Sequence, residues 1–169
     1  NGIIKVGKYV IEPTTSVATL PSDEYNVINT KNGVVYISKK PLELLGEKFL
    51  VTIYFDKMHI KKVELSNASE KYKINYQTMN STILEQLRKA NNDFLLNSLG
   101  PAHKENFSGL EYEFAWGKIM SYYDFKSAEA GIVICYFWEI IRLNAIENKV
   151  KKDWRNDCWC GRIEWYILD

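Results

Sequence analysis

The sequence predicts an α+β protein, a twisted antiparallel sheet of about six to eight strands with one main helix, over about residues 81–98, packed on one face. Short runs of alternating apolar and polar residues, a hairpin turn signal and one longer stretch with helical spacing predict this class. A chain of 169 residues can bury one hydrophobic core. We therefore expect a single domain over 1–169, with the segment from about 145 as a candidate appended element.

Two hairpins are predicted in the first half of the chain. Asn32-Gly33 is a hairpin turn signal between strands over 25–30 and 34–38. A second turn at Asp56-Lys57 joins a strongly alternating strand to a strand over 58–65, whose pattern slips at Lys61-Lys62, as at a bulge or a charged edge. Two simpler segments are the strand candidate 3–11 and the connection 41–46, which we interpret as a turn or one helical turn.

The predicted helix has signals at both ends. Thr82 and Glu85 have the spacing of a capping box, and Gly100-Pro101 follows in the order that ends a helix. Between them, one face is mostly apolar at helical spacing. This face consists of Ile83, Leu84, Leu87, Ala90, Phe94, Leu95 and Ser98.

The second half predicts further strands. Residues 110–116 alternate, and Gly117 is expected to interrupt or bend this strand. The alternation continues on the opposite parity over 119–123, and residues 124–131 form a loop. The apolar run 132–138 suits a central strand. A second helix is a further expectation over about 139–153, with a strand as the open alternative, and 162–168 predicts a last strand.

Composition and motifs exclude several classes of function. The net charge is +1 and there is no basic stripe, which disfavours nucleic-acid binding. No apolar run approaches the about 18 residues that span a bilayer. The three cysteines do not indicate a disulfide scaffold, so we expect a cytoplasmic protein. Because the first residue is Asn, an exported or envelope-anchored protein with its leader removed is the alternative.

No arrangement of residues predicts an enzyme. Glu111 and Glu113 share one face of a strand, whereas catalytic carboxylates usually face each other across a cleft. The two histidines, His59 and His103, lack a recognisable nucleophile motif. The C-x-C spacing at 158–160 is not a zinc pattern, and no phosphate-binding loop is present. We therefore expect no catalytic residue, no cofactor and no metal.

The aromatic content of 14% is the unusual feature of the composition. Tyrosine and tryptophan give large contact areas at low entropic cost and often anchor protein interfaces. Around the predicted turn after 123, tyrosines occur beside charged residues. In the alternative interpretation, Tyr123 packs inward and Asp124 caps the turn through its backbone. The candidate partner-binding residues are Tyr122, Tyr123, Asp124, Lys126, Glu111 and Glu113.

The same segment resembles small bacterial immunity-type proteins of contact-dependent and polymorphic toxin systems. The residues that carry the resemblance are Trp116-Gly117, Ile119, Ser121, Tyr123-Asp124, Lys126-Ser127, Ile132, Ile134 and Tyr136. The hairpin over 50–65 and the helix ending at Leu99-Gly100-Pro101 fit the same layout. The resemblance implies a cytoplasmic protein that binds one cognate toxin and blocks its active site. It assigns no binding residue and no oligomeric state.

The sequence thus predicts a non-enzymatic, protein-binding domain, an immunity protein that neutralises a toxin domain. The alternative is an extracytoplasmic ligand-binding or lipoprotein domain.

Overall fold

The structure, a computed structural model, describes residues 2–21, 23–31, 33–72, 81–124 and 126–137. It confirms the predicted α+β class. The described residues form one helix, α1 (Ser81–Leu99), two short 3-10 helices (Val17–Thr19 and Glu70–Tyr72) and eleven strands. The strands are β1 (Ile4–Val6), β2 (Tyr9–Ile11), β3 (Tyr25–Thr30), β4 (Gly33–Ser38), β5 (Leu42–Leu44), β6 (Glu47–Asp56), β7 (His59–Asn67), β8 (Lys104–Asn106), β9 (Gly109–Phe114), β10 (Gly117–Asp124) and β11 (Glu129–Tyr136).

Nine of these strands form one antiparallel sheet. Its order is β3-β4-β6-β7-β11-β10-β9-β8, and β5 pairs with the outer part of β6. The sheet exceeds the predicted six to eight strands partly because two three-residue strands, β5 and β8, are too short to show an alternating pattern. The interpretation of 41–46 as a turn or helical turn is therefore wrong, since Leu42 pairs with Phe49. The predicted bulge is confirmed: Tyr54 pairs with Lys62 and Phe55 with Ile60, which leaves Lys61 unpaired.

Helix α1 matches its predicted range and packs against β9, β10 and β11. Thr82 lies inside the first turn, and Glu85 accepts hydrogen bonds from Arg88. Its buried stripe follows helical spacing and consists of Leu84, Leu87, Asn91 and Leu95. The ring of Phe94 meets Phe49 edge to face at 5.1 Å, and this contact extends the helix packing to β6.

The N-terminal residues pack on the same face of the sheet as the helix. Residues 3–11 form the hairpin β1–β2 and not one strand, with Val6 paired to Tyr9. The Tyr136 hydroxyl donates a hydrogen bond to the carbonyl of Gly2 at 3.1 Å, and Tyr9 contacts Tyr25 with ring centroids 5.8 Å apart. One face of the sheet, the helix-side face, thus carries both α1 and the N-terminal hairpin.

A tight turn divides the aromatic stretch 110–123, in which an interruption or a bend was predicted at Gly117. Phe114 pairs with Gly117, so the chain reverses through Ala115-Trp116 and β10 runs back along β9. Gly117 has φ 159°, and a side chain there would collide with the carbonyl oxygen of Cys135 on β11. The loop after β10 is also shorter than predicted, because Asp124 already pairs with Glu129.

Asn91 is the unusual member of the helix stripe. Its side chain is completely buried, and neither its amide nitrogen nor its oxygen has a hydrogen-bond partner in the described part of the chain. Burying an amide without partners costs free energy that a leucine of similar volume does not incur.

We therefore expect Asn91→Leu to raise the free energy of unfolding by about 1 kcal/mol. The matched control is Asn92→Leu, because the Asn92 side-chain oxygen accepts a hydrogen bond from the Ser121 hydroxyl at 2.5 Å. That control should lower stability by about 1 kcal/mol. Urea denaturation of both variants measures the two effects, and a destabilised Asn91→Leu would show that its amide is satisfied in solution.

Three predictions fall on residues outside those described. They are the helix or strand over 139–153, the last strand over 162–168, and the single domain over the whole of 1–169. In the described part of the chain, no helix is long and apolar enough to cross a membrane.

Candidate functional site

The face of the sheet opposite α1 is the candidate site, and we call it the open face. Two rows of side chains cross it, each formed by residues paired from strand to strand. The first row runs Asn26, Ile37, Thr52, Glu64, Val133, Met120 and Glu111. The second row runs Ile28, Val35, Tyr54, Lys62, Cys135, Lys118 and Glu113. Directly paired side chains are neighbours on one face, so each row is a continuous strip.

The burial of these residues shows that the open face is accessible. Thr52, Tyr54, Met120 and Cys135 are half-buried, whereas the alternate residues of the same strands on the helix-side face are mostly buried. Leu50, on the same face of β6, is 40% exposed and lies opposite Ser66. An accessible sheet face with this apolar content differs from the fully polar outer face of many antiparallel sheets.

A compact cluster of three side chains lies near the centre of the open face. The Tyr54 hydroxyl donates to one oxygen of Glu64 at 2.6 Å, and the Lys62 ammonium donates to the other at 2.6 Å. The same ammonium lies 4.1 Å from the centre of the Tyr54 ring, a cation–π contact. These contacts fix all three side chains in one arrangement, so this part of the surface is pre-organised.

The remaining charges of the two rows are also paired. Lys118 lies 3.9 Å from Glu111, and Lys104 lies 2.8 Å from Glu113. The bond to Lys104 lowers the pKa of Glu113. Both glutamates are thus held in ion pairs, and the lowered pKa of Glu113 is opposite to the raised pKa that a general acid needs. With each of these charges balanced, the open face has no positive strip of the kind that tracks a phosphate backbone.

Tyr122 lies across Gly131 of the neighbouring strand. A Cβ atom added to Gly131 would lie 3.0 Å from a ring carbon of Tyr122 and 3.1 Å from its hydroxyl oxygen, so the ring packs closely over this glycine. Burial, with the charges of Glu64 and Glu129, raises the pKa of Tyr122. The ring therefore forms part of the flat surface of the open face and does not project from it.

The other predicted partner-binding residues lie at the end of β10 and in the turn that follows it. Tyr123 is on the helix-side face, where its ring meets Phe107 at 6.3 Å. Asp124 accepts a hydrogen bond from the backbone N–H of Lys126 at 2.9 Å, which lowers its pKa. Asp124 therefore caps the turn through a backbone hydrogen bond, as the alternative interpretation predicted. Of the six predicted residues, Glu111, Glu113 and Tyr122 lie on the open face, Asp124 lies on the same side at the end of β10, and Tyr123 lies on the opposite side.

Sequence reasoning missed the residues that share this face with Tyr122. Leu50, Tyr54 and Met120 were placed only as members of separate strands, and no local motif marks them. The alternation did place Leu50 and Tyr54 on one side of β6, but only the order of the strands brings β6 and β10 into the same surface.

The raised pKa of Tyr54 gives a test of the central cluster. Burial is the larger cause and the hydrogen bond to Glu64 the second, and together they raise the pKa of Tyr54 well above that of a free tyrosine. The folded protein then holds the phenolic proton more tightly than the unfolded chain. This stabilisation is complete below about pH 10 and is lost as the pH rises further.

We expect Tyr54→Phe to be less stable than the wild type at about pH 8, with a difference that shrinks at about pH 11. Denaturant unfolding at the two pH values measures it. A difference that stayed constant would mean that Tyr54 titrates alike in the folded and unfolded states.

A concave surface lies on the helix-side face, between β1 and the end of α1. It is an apolar groove with a volume of about 560 Å³. Its lining includes Ile3, Leu44, Phe94, Leu99, Ile119 and Ile134. Lys5 and Ser98 are its only polar lining residues among those described, so it offers few groups that would orient a polar ligand.

The fold and the two surfaces define an α+β protein with one covered and one accessible sheet face. No family model matches the sequence, and no curated protein matches it. Among solved structures, this protein is similar to one chain of a complex described as "Rhs1-CT in complex with cognate immunity protein RhsI1". The identity is 16%, the similarity covers 89% of this chain and 94% of that chain, and the TM-score is 0.38. This finding agrees with the predicted resemblance to immunity-type proteins as a weak likeness.

Proposed function

We propose that this protein is a non-enzymatic binder of another protein, that the open face is its binding surface, and that the partner is a bacterial toxin domain which it neutralises. The observation that carries the binding proposal is the open face itself. Accessible apolar and aromatic side chains are interleaved there with charges that are already paired.

The chemistry of the open face favours a protein partner. Protein interfaces combine aromatic and aliphatic anchors at the centre with polar groups toward the rim. Met120 and Tyr122 lie inside the face, whereas Glu111 and Glu113 lie toward its β9 side. Because the charges are paired within the chain, a partner does not have to neutralise an isolated charge when water is expelled.

The identity of the partner as a toxin is supported by the sequence resemblance over 116–136. In this proposal the protein acts in the cytoplasm, where it would meet the toxin before the toxin reaches its target. The affinity comes from a few anchors on the open face, and the charged rim sets the orientation.

If the proposal is correct, a toxin domain is encoded beside the gene of this protein, and the test uses that domain. Co-expression of the chain should restore growth of cells that produce this domain, and the two purified proteins should form a 1:1 complex by calorimetry. Cells that are not protected, together with proteins that do not bind, would contradict the proposal. Protection without direct binding would contradict the assignment of a stoichiometric inhibitor.

A ligand-binding role is the second candidate, favoured by the apolar groove. A groove of about 560 Å³ is within the size range of small-molecule sites. If this role is correct, an apolar fluorescent probe should bind the wild type, and Ile119→Lys should abolish the binding while Leu50→Lys leaves it intact. A probe that binds all three proteins alike would exclude the groove as its site.

A further inference from the structure

The two edges of the large sheet differ in how they are protected. The edge strand β8 has only three residues, and two of them, Lys104 and Glu105, are charged. The opposite edge strand, β3, has six residues without a charge or a proline, and Val27 and Ile28 are 41% and 49% exposed. Exposed edge strands in monomeric proteins are usually short, charged or interrupted, because a bare edge pairs with other chains.

The outward-facing backbone groups of β3 follow from its hydrogen bonds to β4. The N–H of Lys39 donates to the carbonyl of Glu24 at 3.0 Å, so Glu24 and every second residue after it bond toward β4. Val27 and Asn29 alternate with these residues, and their N–H and C=O groups point away from the sheet. Among the described strands, β3 pairs with β4 alone.

We propose that β3 is a self-association edge, which pairs antiparallel with β3 of a second copy of this chain, with Val27 opposite Val27 across a two-fold axis. In this register the outward-facing backbone groups of the two Val27 residues bond to each other, and those of Asn29 bond to Tyr25 of the second copy. The strand residues that pair with one another in this register, 25–29, are uncharged, so no like charges meet along them.

Charge complementarity at the ends of the strand selects this register. With Val27 opposite Val27, the exposed Asp23, in the turn before β3, comes to the same end of the paired strands as the exposed Lys31, in the turn after β3 of the second copy, and the symmetry brings these opposite charges together twice. A shift of two residues, with Val27 opposite Asn29, places Lys31 opposite Tyr25 and removes both pairs. A second copy therefore fits the edge better in the Val27-centred register than in its neighbours.

Pairing of this kind would join the two sheets into one continuous sheet. Residues that are directly opposite in an antiparallel pair point to the same side, so the two open faces would lie side by side. The inference does not depend on the proposed function, because the edge and the open face are formed by different atoms.

The first test is the mass of the full chain by sedimentation across a concentration series. The expected result is a dimer, with twice the 19.7 kDa of the chain. Val27→Lys should give a monomer, because it places two lysines opposite each other. Val10→Lys is the matched control, since Val10 is also an exposed strand valine, 51% exposed, but lies in the N-terminal hairpin. A wild type that is monomeric throughout, or a dimer that survives Val27→Lys, would overturn the proposal.

The second test examines the register. Asp23→Lys should weaken the dimer, and the double variant Asp23→Lys/Lys31→Asp should restore it. With the three native cysteines replaced by serine, Val27→Cys should form a disulfide between copies, since Cα atoms in such a pair lie about 5.5 Å apart. Asn29→Cys should not, because Asn29 lies opposite Tyr25. If the Asn29→Cys variant formed the disulfide and the Val27→Cys variant did not, this register would be refuted.

Discussion

Replacing Leu50 by lysine is expected to lower the affinity for the proposed toxin partner about 30-fold, which corresponds to about 2 kcal/mol of binding free energy. Leu50 is 40% exposed on the open face of β6, where it lies opposite Ser66. At a buried interface the new ammonium group would lose its hydration without a partner. The accessible position leaves room for the longer side chain in the free protein, so the fold should tolerate the change.

The matched control for this prediction is Leu96→Lys. Leu96 is 42% exposed, nearly the same as Leu50, but it lies on helix α1, which covers the other face of the sheet. We expect Leu96→Lys to bind within about twofold of the wild type, since a surface substitution away from the contact changes little. Calorimetric titration of both variants with the toxin domain measures the two affinities. If Leu96→Lys lost affinity and Leu50→Lys did not, binding would involve the helix side.

Replacing Gly117 by alanine is expected to lower the free energy of unfolding by about 3 kcal/mol. Gly117 is the first residue of β10 and approaches the carbonyl of Cys135 so closely that an added Cβ atom collides with backbone. The neighbouring strand is central in the sheet, so it cannot move away without loss of its pairing to β7. Thermal unfolding should show a melting temperature lower by about 6–12 °C.

The variant Gly46→Ala measures the energetic cost of an unfavourable backbone conformation without such a collision. Gly46 has φ 86°, and an added Cβ atom there meets nothing within 4 Å. Only the cost of a left-handed alanine remains, about 1–2 kcal/mol. If the two variants were equally destabilised, β11 would have moved to accommodate the added Cβ atom at position 117, and the close approach would contribute little to the loss of stability.

Local signals predicted some elements well. Asn32-Gly33 predicted the hairpin of β3 and β4, since its turn needs residues that tolerate unusual backbone angles, and Thr30 pairs with Gly33. The spacing of apolar residues predicted α1 because one helix face must be buried. The turn at Ala115-Trp116 was missed because neither residue favours a turn. The requirement for glycine at 117 comes from Cys135, which is distant in sequence.

The sequence by itself determined the class of the fold, the helix and the two side-chain faces of most strands, because these depend on periodicity and turn chemistry within a few residues. It also placed Glu111 and Glu113 on one face. Only the tertiary structure decided which strands are neighbours, and so which residues share a surface with Tyr122. Leu50, Tyr54 and Met120 join it because β7 and β11 pair in the middle of the sheet. That pairing, between residues that lie far apart in the sequence, depends on the packing of the whole core.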